Sequence, residues 1–249
     1  MGQSRAVDWK RLSRPPSMLA AMSVAALVLG AGRGARLGCE LPKAFVSVSG
    51  MTLLERSIRV LAASDEFVAI QPVLAKRDFD RFKELRLQDL PTLREPVEGG
   101  AERQDSVRAG LDSLPDDCAW VAVHDSARCL VSAKDVRRVV AAGISEGAAI
   151  LAEPVRDTIK RVVDGRIQGT PRREECWAAQ TPQVMRCDWL REAMAAAASE
   201  SRVGTDDAQL IEWLGRPVVI VESEFPNPKV TRPEDLVLAE ALLSQAKTE

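Results

Sequence analysis

VAALVLGAGRGARLGCELPK, residues 24–43, opens with a short apolar run, Val24 to Leu29, that is too short to span a membrane and fits a buried parallel strand. Glycines follow at once, at Gly30, Gly32, Gly34 and Gly38. Glycine has no Cβ to hold a phosphate away from the backbone N–H groups and accepts φ > 0, so a loop of this composition can cradle a triphosphate. Arg33, Arg36 and Lys43 add positive charge to the same stretch.

Spacing sorts the readings of such a loop. A P-loop requires GxxxxGK[ST], which is absent. A dinucleotide fingerprint requires GxGxxG running straight into a helix. Here Gly32 and Gly34 supply G-x-G, Gly38 falls one place late, and Pro42 interrupts any helix. The stretch is therefore either an extended anion-binding loop ending in Pro42-Lys43 or a glycine-rich surface turn.

A chain of 249 residues is large enough for one α/β domain with a full core and an appended arm. Its formal charge of −2, with basic residues spread rather than blocked, gives no reason to expect nucleic acid, though a local phosphate site is compatible with it. Cys39, Cys118, Cys129, Cys176 and Cys187 form no CxxC pair, which favours reduced thiols in a cytoplasmic protein over a disulfide framework or a zinc site. Met18 to Ala31, preceded by Lys10, Arg11 and Arg14, has the outline of a secretory signal. Its apolar run passes directly into GAGRGARLG, so cleavage there would destroy the loop. Residues 1–20 are accordingly read as a disordered leader and 21–249 as the domain, with no membrane segment expected.

Downstream, strands and helices alternate. Thr52 and Glu55 form a capping box for a helix whose Leu54, Ile58 and Leu61 share one face. Phe67 to Leu74 reads as a strand, Arg77 to Leu87 as a helix with the stripe Phe79, Phe82 and Leu85, and Glu95 to Glu98 as a short strand closed by Gly99-Gly100. The helix that follows, Arg103 to Ser113, carries Glu102, Arg103, Asp105 and Ser106 at its start, where free N–H groups suit a base or an anion. Trp120 to His124 is a strand that delivers Asp125 to the carboxyl edge of the sheet, where open α/β sheets bind ligands. Asp125, beside Arg128, is suited to coordinate Mg²⁺, to accept from a substrate hydroxyl, or to form a buried Asp–Arg pair. His124, the single histidine, reads as a packed structural residue.

Ser132 and Asp135 open a helix through Ala142, Ala148 to Ala152 is a strand, and Asp188 to Ser199 is a helix. Thr205 caps a helix ending at Gly215, Pro217 to Val221 is the last strand, and Pro233 starts the final helix. The alternation predicts a Rossmann-like, mostly parallel sheet flanked by helices. One segment breaks it. Thr158 to Val163 and Arg166 to Gln168, joined by Asp164-Gly165, form the strongest hairpin signal in the chain. Such a hairpin must project as a β-arm, over residues 154–176, and a second copy of the chain is the economical cover for its apolar residues, giving a homodimer.

The pattern G-x-G-x-R-x-G-x-x-x-P-K resembles the signature loop of nucleotidyltransferases that join a sugar or polyol phosphate to a nucleoside triphosphate. GGAERQDSVRAGL, VAVHDSARCLV, PVRDTIKRV, WAAQTPQV, TDDAQLIEWLG and KVTRPEDLVLAE, in that order, resemble one branch, the 2-C-methyl-D-erythritol 4-phosphate cytidylyltransferases of non-mevalonate isoprenoid synthesis. The resemblance covers nearly everything from Val24 onward. It implies transfer of the cytidylyl group of CTP, with Mg²⁺, to the 4-phosphate of methylerythritol, and dimerisation through the arm.

It further implies that Arg36 and Lys43 stabilise the pentacoordinate phosphorus, that Arg173 and Lys229 hold the incoming phosphate, and that Asp125 and Thr158 contact the substrate. The nucleotide would rest on Gly30, Ala31, Gly32, Gly34, Gly100 and Ser106, with the last two helping to read the cytosine. Arg173, on the returning limb of the arm, is expected to reach the neighbouring subunit's site. Three positions depart from the family: Ala101 where relatives often carry Asp, Cys129 for a proline, and Pro228 for an aliphatic or aromatic residue. Base reading should then lean on backbone groups, the loop at Cys129 should loosen, and Lys229 should shift slightly. The alternatives are the same chemistry on another polyol phosphate such as ribitol 5-phosphate, and a silent nucleotide-binding subunit, against which the presence of both Arg36 and Lys43 argues.

Overall fold

The computed structural model describes residues 23–32, 34, 37–38 and 41–245. The expected leader and Arg36 lie outside these described residues. In chain order the strands are β1 (Val24–Leu29), β2 (Ser47–Val48), β3 (Met51–Thr52), β4 (Ala69–Leu74), β5 (Val97–Glu98), β6 (Trp120–Asp125), β7 (Ala148–Pro154), β8 (Arg161–Val163), β9 (Arg166–Gly169), β10 (Trp177–Arg186) and β11 (Val219–Glu222). The helices are α1 (Leu53–Ala62), α2 (Phe79–Lys83), α3 (Arg103–Asp112), α4 (Ala133–Glu146), α5 (Cys187–Ser199), α6 (Asp207–Trp213) and α7 (Pro233–Gln245).

Seven strands form one sheet in the order β11-β7-β10-β6-β1-β4-β5. Only β10 runs against its neighbours; the pairings of β1 with β4 and β6, of β4 with β5, and of β7 with β11 are parallel. The expected mostly parallel, helix-flanked sheet is therefore present. Along β1 the side chains alternate: Val24, Ala26 and Val28 pack with residues of α1 and α4, while Ala25 and Leu27 pack with residues of α3 and α5. A strand covered on both faces reads as a continuous apolar run, which is why VAALVL shows no alternation. The chain leaves β1 toward β4 on one side and later returns to β6 on the other, so the loops after β1 and β6 meet at a switch point, where such sheets hold ligands.

A third, smaller core lies beneath that point. Leu37, Val46, Val48, Leu53, Cys129, Val230 and Ala239 pack together, and Leu236 and Leu243 of α7 lie against them. Cys129 is 1% exposed within this cluster, so it fills the place as an apolar residue.

Three expectations need correction. The helix from Arg77 to Leu87 is a 3-10 turn at Lys76–Asp78 followed by α2 alone. Leu87 is drawn into the core and Ile70 exchanges hydrogen bonds with Thr92 and Arg94, and this tertiary pairing along β4 overrides the local helical pattern. The helix opened by Ser132 runs past Ala142 to Glu146, stopping at Gly147, whose φ of 98° breaks it. Asp206, not Thr205, caps α6, its carboxylate accepting from the Gln209 N–H at 3.0 Å.

The arm is a separate two-stranded sheet, β8 with β9. Asp164 and Gly165 both have positive φ, 49° and 73°, the pair of conformations a two-residue hairpin turn requires. The ladder starts at Arg161, so Thr158 lies ahead of it rather than within it. Val162, Val163 and Ile167 on this arm are exposed.

Gly110 lets α3 approach the sheet: a Cβ there would lie 2.9 Å from Val73 and 3.0 Å from Leu27. Gly110→Val should therefore cost about 1–3 kcal/mol of stability, measured by urea unfolding, through overpacking. A loss below about 0.5 kcal/mol would show that α3 is not seated this closely.

Candidate active site

The loop after β1 starts as an extension of the sheet, with Gly30 N–H donating to Val73 O at 2.8 Å and Ser126 N–H donating to Leu29 O at 3.0 Å. Gly34, at φ +65°, faces Lys43 so closely that a Cβ would lie 2.4 Å from the lysine's own Cβ. The loop thus doubles back on Lys43, and only glycine permits the approach. Across the site, Gly99 makes the matching concession: a Cβ there would meet Ala31 at 2.7 Å and the Ser106 hydroxyl at 2.8 Å.

These loops enclose a cavity of about 420 Å³. Of the residues singled out in the sequence, Gly30, Ala31, Gly32, Gly34, Lys43, Gly100, Ser106, Asp125 and Lys229 all line it. Ala101 lines it too and brings no charge to it. Arg36 lies outside the described residues. Thr158 and Arg173 are exposed on the arm, away from this cavity, with Arg173 Nη1 donating to Arg156 O at 3.4 Å.

The electrostatics centre on Asp125. Lys229 Nζ stands 2.6 Å from its Oδ2, and Arg103 Nε stands 3.3 Å from its Oδ1. Burial opposes ionisation of this carboxyl, but Arg103 and Lys229 override burial and hold it well below the usual carboxylate range. Arg103 also reaches Asp207 at 2.7 Å. Burial alone would lower the Arg103 pKa; the two carboxylates more than restore its charge. Of the readings open for Asp125, a side-chain ion pair with Arg128 is not formed. Arg128 donates instead to Asn227 O at 2.8 Å and Ala179 O at 3.0 Å, and Val230 N–H donates to Ala127 O at 2.8 Å. These bonds clamp the loop that carries Lys229, so the lysine reaches Asp125 with Pro228 in place.

Mg²⁺ is another ligand open to Asp125 in the sequence. Both of its oxygens face cations, and no group of three His, Cys, Asp or Glu suited to a metal occurs among the described residues. The described residues thus offer no all-protein cage, and a Mg²⁺ ion there would be shared between a single carboxylate and substrate phosphates. Nor does any helix among the described residues have the length and apolarity to cross a membrane.

Arg103 was visible in the sequence only as one of several polar residues at a helix start. The available signal was its position: a cation in the first turn opposes the helix dipole, so an arginine there needs carboxylates elsewhere to account for it. His124 behaves as read. It is fully buried, and its Nδ1 pairs with the Thr181 hydroxyl at 3.1 Å, which in turn accepts from the Asp125 N–H at 3.1 Å.

A family model described as "IspD: 2-C-methyl-D-erythritol 4-phosphate cytidylyltransferase" matches residues 24–245. Among curated proteins, the 2-C-methyl-D-erythritol 4-phosphate cytidylyltransferase of Pelotomaculum thermopropionicum is 42% identical over 223 residues, 88% of this chain and 94% of that one. That of Syntrophotalea carbinolica is 41% identical over 225 residues, 89% of this chain and 97% of its own. Among solved structures, the 2-C-methyl-D-erythritol 4-phosphate cytidylyltransferase of Thermus thermophilus superposes with a TM-score of 0.73 at 36% identity, covering 90% of this chain and all (100%) of that one. The 4-diphosphocytidyl-2C-methyl-D-erythritol synthase of Anaerococcus prevotii superposes with a TM-score of 0.83 at 27% identity, covering 92% and 100%.

His124 generates a pH prediction. Burial, the largest influence, lowers its pKa to about 4. Below pH ~6.5 the unfolded chain takes up a proton that the folded chain refuses, so stability falls as pH drops through the window down to about pH 4. Since the chain has one histidine, His124→Gln should remove the part of the loss seen between about pH 7 and about pH 5 by urea unfolding. Equal pH dependence in both proteins would show that the imidazole titrates normally.

Proposed function

The chain belongs to the 2-C-methyl-D-erythritol 4-phosphate cytidylyltransferase family, and from that premise we propose that it transfers the cytidylyl group of CTP to 2-C-methyl-D-erythritol 4-phosphate, giving 4-CDP-2-C-methyl-D-erythritol and pyrophosphate for isoprenoid synthesis. The observation that carries the reading is the convergence of Lys43, Lys229 and Asp125 on one cavity walled by the glycine loop and the start of α3.

In this reading an oxygen of the polyol phosphate attacks the α-phosphorus of CTP. A P–O bond forms there as the bond to the β-phosphate oxygen breaks, and pyrophosphate leaves with the electron pair. No covalent nucleophile is needed; catalysis consists of positioning and of fixed positive charge where negative charge develops. Lys43, pressed against the loop by Gly34, supplies that charge at the α-phosphorus, and Arg36 is assigned the same task. Lys229 receives the incoming phosphate. Asp125, kept ionised, is an acceptor for polyol hydroxyls. The cytosine is read by Gly100 and Ser106, with purines excluded by the backbone at Gly30 and Ala31.

Mg²⁺, when bound with the triphosphate, would neutralise its charge, since no cage of three His, Cys, Asp or Glu occurs among the described residues. The enzyme is assigned to the cytoplasm, in keeping with the free thiols Cys118, Cys129, Cys176 and Cys187. It is assigned a homodimeric state through the arm, whose exposed Val162, Val163 and Ile167 support a second copy as cover. Thr158 and Arg173, which do not line their own chain's cavity, then serve the partner subunit's site.

A pyrophosphate-release assay with CTP and Mg²⁺ tests the assignment. Methylerythritol 4-phosphate should outperform ribitol 5-phosphate and simple sugar phosphates, and CTP should outperform ATP and GTP. Lys43→Ala should stay folded and lose about 10²-fold or more in kcat; activity within a few-fold would remove Lys43 from the transition state. Mixing Arg173→Ala and Lys43→Ala chains should restore one intact site per heterodimer. Subunit exchange with no recovery would show that Arg173 does not act across the interface.

A further inference from the structure

Asp207 is a charged residue with no contact to the cavity. It is 1% exposed, at the first position of α6, and its carboxylate grips Arg103 Nη2 at 2.7 Å. Its backbone is fixed from the other side: the Asp207 and Ala208 N–H groups both donate to Gln183 Oε1 at 3.0 Å, and Gln183 Nε2 donates to Asp206 Oδ2 at 2.8 Å. Gln183 belongs to β10, which is paired with β6, the strand that ends in Asp125. Asp207 is thus anchored to the sheet and holds the outer end of an arginine whose inner end, Nε, faces Asp125 at 3.3 Å.

A guanidinium with one carboxylate partner takes it with both prongs; with a second, immobile carboxylate behind it, the fork is spread between them. The spread geometry leaves Asp125 Oδ2 for Lys229 at 2.6 Å. Without Asp207, Arg103 would be free to close on both oxygens of Asp125, which displaces Lys229 from Oδ2. We propose that Asp207 is a positioning residue of the cytidylyl transfer: by holding Arg103 from behind, it keeps Asp125 and Lys229 set to receive the polyol phosphate. The inference rests on the assignment of Lys229 and Asp125 to that substrate.

Asp207→Asn keeps the side chain's shape and removes its charge. Its KM for methylerythritol 4-phosphate should rise about 10- to 100-fold, the scale of a displaced binding group, while its KM for CTP changes less than about three-fold. A residue that merely supported the fold would shift both together. Arg103→Lys cannot span two carboxylates as a fork and should show the same split. Placed in an Arg103→Gln background, Asp207→Asn should add nothing, because its effect passes through the arginine. Circular dichroism and melting check that each variant is folded, and Arg103→Lys carries the test if Asp207→Asn is not.

Lys229→Ala is measured alongside. If Lys229→Ala raises the polyol-phosphate KM and the folded Asp207 and Arg103 variants do not, the positioning role is overturned and the site assignment stands. A full second loss from Asp207→Asn in the Arg103→Gln background overturns it likewise. If Lys229→Ala leaves that KM unchanged, the assignment itself fails and the inference with it.

Discussion

A carboxylate at the end of a buried strand has to be compensated, and much of the site follows from how Asp125 is compensated. Removing one partner from a buried ion pair costs about 3–5 kcal/mol, because the remaining charge has neither water nor a counter-ion. Asp125 meets this constraint with cations from two distant places, Arg103 from α3 and Lys229 from the loop before α7. Two elements far apart in sequence are thereby drawn onto the edge of β6. The cavity forms between them and the glycine loop, and its lining is a by-product of charge neutralisation as much as of loop shape.

The outline of the fold was legible because two-face burial leaves a plain mark: VAALVL and WVAVHD are apolar nearly throughout, and the elements between them repeat at helical spacing. What local pattern could not carry was competition with tertiary contact. Phe79, Phe82 and Leu85 are spaced for a longer helix, yet Leu87 is worth more in the core than in another turn, and Thr92 and Arg94 lie along β4. Asp206 and Thr205 are both good caps, and only the position of Gln209 decides between them.

For the site, single residues with an obvious chemical purpose were legible and their pairings were not. Lys43 stood out because glycines preceded it, and Gly34 proves to be where the two meet. Arg128, close in sequence, was one partner open to Asp125, whereas Asp125 takes Arg103, 22 positions away, and Lys229. Ion pairs are set by where strands end, which a linear reading does not contain. Asp207, 104 positions from Arg103, could not be connected to the site from sequence spacing at all.

The third core bears on durability. Leu37 and Val46, on either side of Lys43, and Val230, next to Lys229, share a single small apolar cluster with Cys129 and with Ala239 of α7. Both lysines therefore depend on a patch much smaller than either of the cores that hold the sheet. Regions with few buried contacts open at lower free energy than the whole molecule does. Undocking of α7 would then be a partial opening that loosens both lysine loops while the seven strands remain paired.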